Sequence, residues 1–145
     1  MYKKVLIAED FDSINIAVKQ TLENLGVQEI DYAKYCDDAI LKLKKALQDN
    51  QPFDLLISDL SFVEDYREVT IASGEELIQA IKEIQPEINV IVYSVEDKPY
   101  IIKTLFDEAQ INGYVKKGRN SISQLKTAIE TLLYGKTFIS PELAH

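Results

Sequence analysis

A lone cysteine, Cys36, leaves nothing to pair in an internal disulfide, so the fold has to stand on its core and suits a reducing compartment. Long apolar runs are missing as well. After Met1-Tyr2-Lys3-Lys4 only four apolar residues precede Glu9 and Asp10, too few for a signal-peptide core or a membrane span. These two absences lead us to expect a cytoplasmic protein with no membrane partner. Positive charge is scarce too: 16 Lys and Arg stand against 24 Asp and Glu, a net charge of −8. That disfavours direct nucleic acid binding by this chain, because affinity for a phosphate backbone rests on cations displacing counterions. There is no internal repeat and no low-complexity tract. Five Gly and four Pro among 46% hydrophobic residues are the composition of one compact domain with a full core.

What the sequence does contain is an alternation of short apolar runs with longer stretches of helical period, the mark of strands joined by crossover helices in a parallel sheet. Val5-Leu6-Ile7-Ala8, Leu55-Leu56-Ile57 and residues 88–93 are nearly continuous in apolar character, as strands covered on both faces require. They are predicted to be the first, third and fourth strands. Ile30 and Tyr32 alternate with Glu29 and Asp31, and Gly113-Tyr114-Val115 is brief; both read as sheet edges, the second and fifth strands. Helical spacing of Ile14, Val18, Leu22 and Leu25 predicts a first helix, capped by Asp12 or Ser13 and ended by Gly26. Ile40, Leu43 and Leu47 mark a second; Leu77, Ile78, Ile81 and Ile84 a third. Ile101, Ile102, Leu105 and Phe106 mark a fourth, and Leu125, Ile129 and Leu132 a fifth. The expected class is α/β, a flavodoxin-like doubly wound five-stranded parallel sheet of order 2-1-3-4-5 with five helices.

In such a sheet the site lies beyond the carboxyl ends of the strands, at the switch between the first and third. The first strand runs into Glu9-Asp10, the third into Ser58-Asp59, the fourth into Ser94 and the fifth into Lys116-Lys117. Taken singly, each of these is as well explained by a solvated turn or a cap. Together they form a constellation, since the fold brings those particular ends to one place. Glu9, Asp10 and Asp59 at close range repel one another unless a cation sits among them. All-oxygen ligands select a hard ion, Mg²⁺, with Mn²⁺ able to substitute. Asp59 is then the carboxylate left to attack phosphorus, Ser94 can donate to one phosphoryl oxygen, and a lysine after the fifth strand can pair with another.

At these residues the chain resembles the response regulator receiver domains of bacterial two-component systems. Val5-Leu6-Ile7-Ala8-Glu9-Asp10 is similar to the family's first strand and acid pair, and Phe53-Asp54-Leu55-Leu56-Ile57-Ser58-Asp59-Leu60 to its phospho-acceptor strand. Gly113-Tyr114-Val115-Lys116-Lys117 is similar to its lysine strand, and the family's spacing from the glycine selects Lys117 over Lys116. The resemblance implies a signalling switch rather than an enzyme, with at most Mg-dependent self-phosphorylation and self-dephosphorylation. It implies that Asp10 ligates the metal, Glu9 assists, Asp59 is ligand and acceptor, and Ser61 offers its backbone carbonyl. Ser94 and Tyr114 become a hydroxyl and aromatic switch pair, although Tyr114 is equally well read as an ordinary edge-strand aromatic. A sensor histidine kinase is the implied donor. The face made by the fourth helix, fifth strand and fifth helix is the implied surface for a homodimer on phosphorylation. Phe138-Ile139-Ser140-Pro141-Glu142-Leu143 resembles the linker of NarL/FixJ-type (LuxR-like) regulators. That resemblance implies a receiver domain at residues 1–135 and the start of a linker or C-terminal tail at 136–145, with either a DNA-binding output domain lying outside this chain or a stand-alone receiver that has a similar tail.

The sequence also departs from that pattern. Gly74 lies fifteen positions after Asp59 with no Pro between, where the family has its glycine about eight positions on, so residues 61–73 make a long loop carrying Phe62, Val63, Tyr66, Val69 and Ile71. That loop reads either as a lid or docking surface beside Asp59 or as an inconsequential insertion. Gly118 stands where many relatives have Pro, which predicts a trans bond. Val95 follows Ser94 where many have Ala, and its branched side chain is expected to narrow access to the site. A haloacid-dehalogenase-like phosphatase would need a second acid at position 61, and a flavodoxin would want a phosphate loop where Glu9-Asp10-Phe11-Asp12 stands. The remaining rival is a receiver-fold protein-binding module not controlled by phosphorylation.

Overall fold

The computed structural model describes residues 1–62 and 73–143. Its elements alternate: β1 (Lys4–Ala8), α1 (Asp12–Asn24), β2 (Glu29–Ala33), α2 (Cys36–Gln48), β3 (Leu55–Ser58), α3 (Gly74–Ile84), β4 (Asn89–Ser94), α4 (Pro99–Asp107), β5 (Gly113–Lys116), α5 (Ser121–Leu133) and β6 (Phe138–Ile139), then a 3₁₀ turn, Pro141–Leu143. All neighbouring strands are parallel, in the order β2-β1-β3-β4-β5-β6. This is the expected doubly wound sheet with one strand more than the five expected.

Period-two alternation along each central strand feeds two cores. Val5, Ile7, Leu55, Ile57, Ile91 and Val115 pack with Val18 and Leu22 of α1 and Leu125, Ile129 and Leu132 of α5. Leu6, Leu56, Val90 and Val92 point the other way, to Leu43 of α2, Leu77, Ile78 and Ile81 of α3 and Leu105 of α4. Each fully buried aliphatic side chain is worth about 1.5–3 kcal/mol. Pleat direction therefore fixes which helix covers which face, and with it where each strand ends.

Two expectations need correction. The fifth strand is not an edge: Phe138 N–H donates to the Asn112 carbonyl (3.0 Å) and Ser140 N–H to the Tyr114 carbonyl (2.9 Å), adding β6 alongside it. Tyr114 and Val115 are 0% exposed, and a strand buried on both faces has its open backbone edge covered as well. Neither Asp12 nor Ser13 caps α1, whose cap position is Phe11. Asp12 is turned to Lys34 Nζ at 2.7 Å, and the turn is closed by Glu9, whose Oε2 accepts from the N–H groups of Asp10 (3.0 Å) and Phe11 (3.2 Å). The helix ends as expected, with Gly26 at φ +94°.

α3 starts at a well-formed cap: Ser73 Oγ accepts from Glu76 N–H at 3.2 Å, with Glu75 and Glu76 in the first turn, where the helix dipole favours acids. Gly74 N–H donates to the Leu60 carbonyl at 2.9 Å. The approach is so close that a Cβ at position 74 would stand 2.1 Å from the Asp59 carbonyl oxygen, so only glycine fits.

Candidate functional site

The register of β1 on β3 pairs Ala8 with Ser58, so the next residues of the two strands, Glu9 and Asp59, emerge side by side. Backbone bonds hold them there, Asp59 N–H to the Ala8 carbonyl and Glu9 N–H to the Ala33 carbonyl, both at 3.0 Å. Glu9, Asp10 and Asp59 each offer a carboxylate oxygen, all within 4.8 Å of one another. Glu9 and Asp59 are buried and Asp10 is half-buried.

A lysine answers this charge. Lys117 Nζ donates to Glu9 Oε1 at 2.6 Å and to Asp59 Oδ2 at 2.9 Å, and it lies 5.6 Å from the centre of the Tyr93 ring, within cation–π range. Lys116, by contrast, bonds Asp97 Oδ2 at 3.1 Å, outside the cluster. β5 ends at Lys116, and the two lysines go to different partners. Burial pushes the Glu9 carboxyl up to about 7, against the pull of the Lys117 bond and with Asp10 and Asp59 adding to the rise. Burial opposes the charged form of Lys117, but its bonds to Glu9 and Asp59 outweigh that and its pKa is raised. Three acids and one ammonium leave the cluster acid-rich, and its donors are all oxygens. That donor set fits a hard divalent cation, and Glu9, Asp10 and Asp59 are the residues that would hold it.

β4 ends on Ser94, 1% exposed, whose Oγ accepts from Glu96 N–H at 3.2 Å. Tyr114 is fully buried, with its ring turned inward and its hydroxyl donating to the Glu96 carbonyl at 2.7 Å. The reading of Tyr114 as an edge-strand aromatic therefore fails, because β6 closes that edge. Its pKa is raised, first by burial, and both Ser94 and Tyr114 bond the same residue, Glu96, through its N–H and its carbonyl respectively.

The remaining sequence-derived positions sit as follows. Val95 follows the last residue of β4 and is 65% exposed. A Cβ on Gly118 would meet open space, and no cis peptide occurs among the described residues, in line with the trans bond expected there. Ser61 is exposed. Of the long loop, Ser61, Phe62 and Ser73 are placed, and Phe62 is partly buried against one of the two cores. The lid or docking role of residues 63–72 lies outside the described residues.

Two residues of the site escaped the sequence reading. Asn15, 5% exposed, donates from Nδ2 to the Glu9 carbonyl at 2.8 Å and so ties α1 to the acid pair. A polar residue on the buried side of an otherwise apolar helical stripe was the signal. Tyr93 flanks Lys117 and shares a 2.6 Å bond with Ser121 Oγ; its place beside the strand-ending serine was the clue.

The family described as response regulator receiver domain matches residues 5–130. No curated protein matches the chain. Among solved structures, the isolated REC domain of RcsB from Salmonella enterica serovar Typhimurium, in the presence of the phosphomimetic BeF3−, is 26% identical with a TM-score of 0.82, over 99% of this chain and 97% of that one. The non-phosphorylated receiver domain of the stress response regulator RcsB from Escherichia coli is 26% identical with a TM-score of 0.80, over 97% of this chain and 99% of that one. A longer RcsB response regulator of Salmonella typhimurium, described for its conformational dynamism for DNA interaction, is 26% identical with a TM-score of 0.82 over 98% of this chain, which spans 65% of that one.

Proposed function

The chain belongs to the response regulator receiver domain family, and from that premise we propose that it is a phosphorylation-activated switch of a two-component system, taking a phosphoryl group on Asp59 from a sensor histidine kinase. The observation that carries this reading is the buried Asp59 carboxylate held 2.9 Å from Lys117 Nζ beside Glu9 and Asp10. An Asp59 oxygen forms a bond to phosphorus as the phosphorus–nitrogen bond to the donor imidazole breaks; the electron pair leaves with nitrogen, which takes up a proton from water. Lys117 neutralises a phosphoryl oxygen, and Ser94 donates to another once its hydroxyl turns from Glu96 N–H. Tyr114 follows Ser94, so the state of Asp59 reaches β5. Mg²⁺, or Mn²⁺ in its place, would be held by Asp10, Asp59 and the Ser61 carbonyl with Glu9 assisting, and would supply charge screening between nucleophile and donor.

The activity is regulatory rather than enzymatic, with at most Mg-dependent self-phosphorylation and self-dephosphorylation. Likeness to RcsB supports a NarL/FixJ-type regulator that controls transcription through a DNA-binding output domain outside this chain, with a homodimer on phosphorylation. Cytoplasmic residence follows from that role. Among the described residues no helix is long and apolar enough to cross a membrane.

Incubation with Mg²⁺ and acetyl phosphate, followed by intact-mass measurement, should add one phosphoryl group to the wild type and none to Asp59→Asn. No gain in the wild type would refute the reading and leave a receiver-fold protein-binding module.

A further inference from the structure

The sixth strand ends in an arrangement that ladder geometry alone does not require. β6 pairs Gly113 with Phe138 and Tyr114 with Ile139, and Ser140 N–H continues the ladder to the Tyr114 carbonyl. The next rung would join Lys116 N–H to the Ser140 carbonyl, but that carbonyl is taken by Leu143 N–H at 2.9 Å as the chain turns at Pro141. The Ser140 side chain fills the place instead: its Oγ accepts from Lys116 N–H at 2.9 Å and donates its single proton to Gln124 Oε1 of α5 at 2.6 Å. Ser140 is 0% exposed, while its two partners, Lys116 and Gln124, are half-buried.

On its other side β5 is tied to β4 one residue further on, where Lys117 N–H donates to the Ser94 carbonyl at 2.8 Å. The backbone that launches the Lys117 side chain is thus gripped from both flanks, by Ser94 and by Ser140. We propose that Ser140 is a positioning residue for Lys117, so that docking of residues 138–143 on β5 and phosphoryl acceptance at Asp59 are energetically coupled. The coupling runs through one hydroxyl, one peptide and one ammonium: Ser140 Oγ, Lys116 N–H and Lys117 Nζ on Asp59. Because coupling between two sites is reciprocal, occupation of Asp59 tightens or loosens the tail by the factor by which the tail alters occupation. The proposal rests on the reading of Asp59 as acceptor.

The test uses the whole chain. With Mg²⁺ and acetyl phosphate, Ser140→Ala should be phosphorylated about fivefold more slowly than the wild type, the equivalent of one lost hydrogen bond. Its circular dichroism should remain that of the folded protein. In the wild type, beryllofluoride with Mg²⁺ should change hydrogen-exchange protection at the Lys116 and Ser140 amides, a response that a purely structural serine does not give. A folded Ser140→Ala phosphorylated at the wild-type rate overturns the proposal. If Ser140→Ala does not fold, the wild-type exchange measurement decides, and unchanged protection at both amides overturns it. A wild type that takes no phosphoryl group defeats the acceptor reading itself, a result separable from the other two.

Discussion

The two flanks of the sheet solve the same problem in opposite ways. At β2 the outer strand is left open: Glu29 and Tyr32 are exposed, Ile30 and Asp31 half-buried, and Lys42 leans over from α2 to bond Asp31 at 2.7 Å. Charge and alternation blunt that edge, the usual protection against stray pairing. At β5 the strand is apolar, closed on both faces and sealed by β6. The difference tracks the chemistry. Among the described residues the open flank reaches none of the acid cluster, whereas the sealed flank leads into Lys117, whose Nζ bonds Asp59. A solvated edge tolerates drift, and a strand that aims an ammonium at a carboxylate does not.

The largest test of that contrast is paired truncation of tyrosines. Tyr114→Ala should cost about 3–5 kcal/mol in guanidinium unfolding, the range for emptying a buried aromatic site, and Tyr32→Ala less than about 1 kcal/mol. Equal losses would break the comparison. Next in size is removal of the two lysines. Lys117→Met leaves the buried Glu9 and Asp59 carboxylates facing each other and should cost about 3 kcal/mol without metal, whereas Lys42→Met at the open flank should cost under about 1 kcal/mol.

A smaller effect follows from Glu9, raised from 4.5 to about 7. Between those values the folded, metal-free protein holds a proton that the unfolded chain releases, so stability contributed by this group falls as pH rises through the window and levels off above it. Mg²⁺ must displace that proton, so its affinity should rise by up to about tenfold per pH unit below 7, as read by calorimetric titration. Glu9→Gln should flatten both profiles. Smallest of all, Asp31→Asn should leave Mg²⁺ affinity unchanged and move stability by about 0.5 kcal/mol or less.

Most of the architecture was legible because strand and helix periods are strong signals in long apolar runs: residues 88–93 could hardly be anything but a buried strand. The strand ends then led to Glu9, Asp10, Asp59, Ser94 and the pair Lys116-Lys117, since the fold dictates which ends meet, and the family resemblance chose Lys117 from that pair. What stayed hidden is what sequence encodes weakly. β6 has only Phe138 and Ile139, too short for any period, and it is held largely by backbone bonds to Asn112 and Tyr114. The start of α1 depends on a glutamate folding back on its neighbours, which outranks the capping preference of Asp12 once Lys34 claims that side chain.

The neck formed by Leu60 and Gly74 has a practical meaning. Chain leaves the sheet and enters α3 through a doorway one hydrogen bond wide, 2.9 Å from carbonyl to amide. A peptide cassette grafted between positions 62 and 73 would enter and leave past the Leu60–Gly74 hydrogen bond, and Leu60 is the residue next to Asp59, so tension in the graft would be delivered close to that carboxylate. The doorway offers an engineer a place to wire a sensor to this domain, provided position 74 itself is left alone.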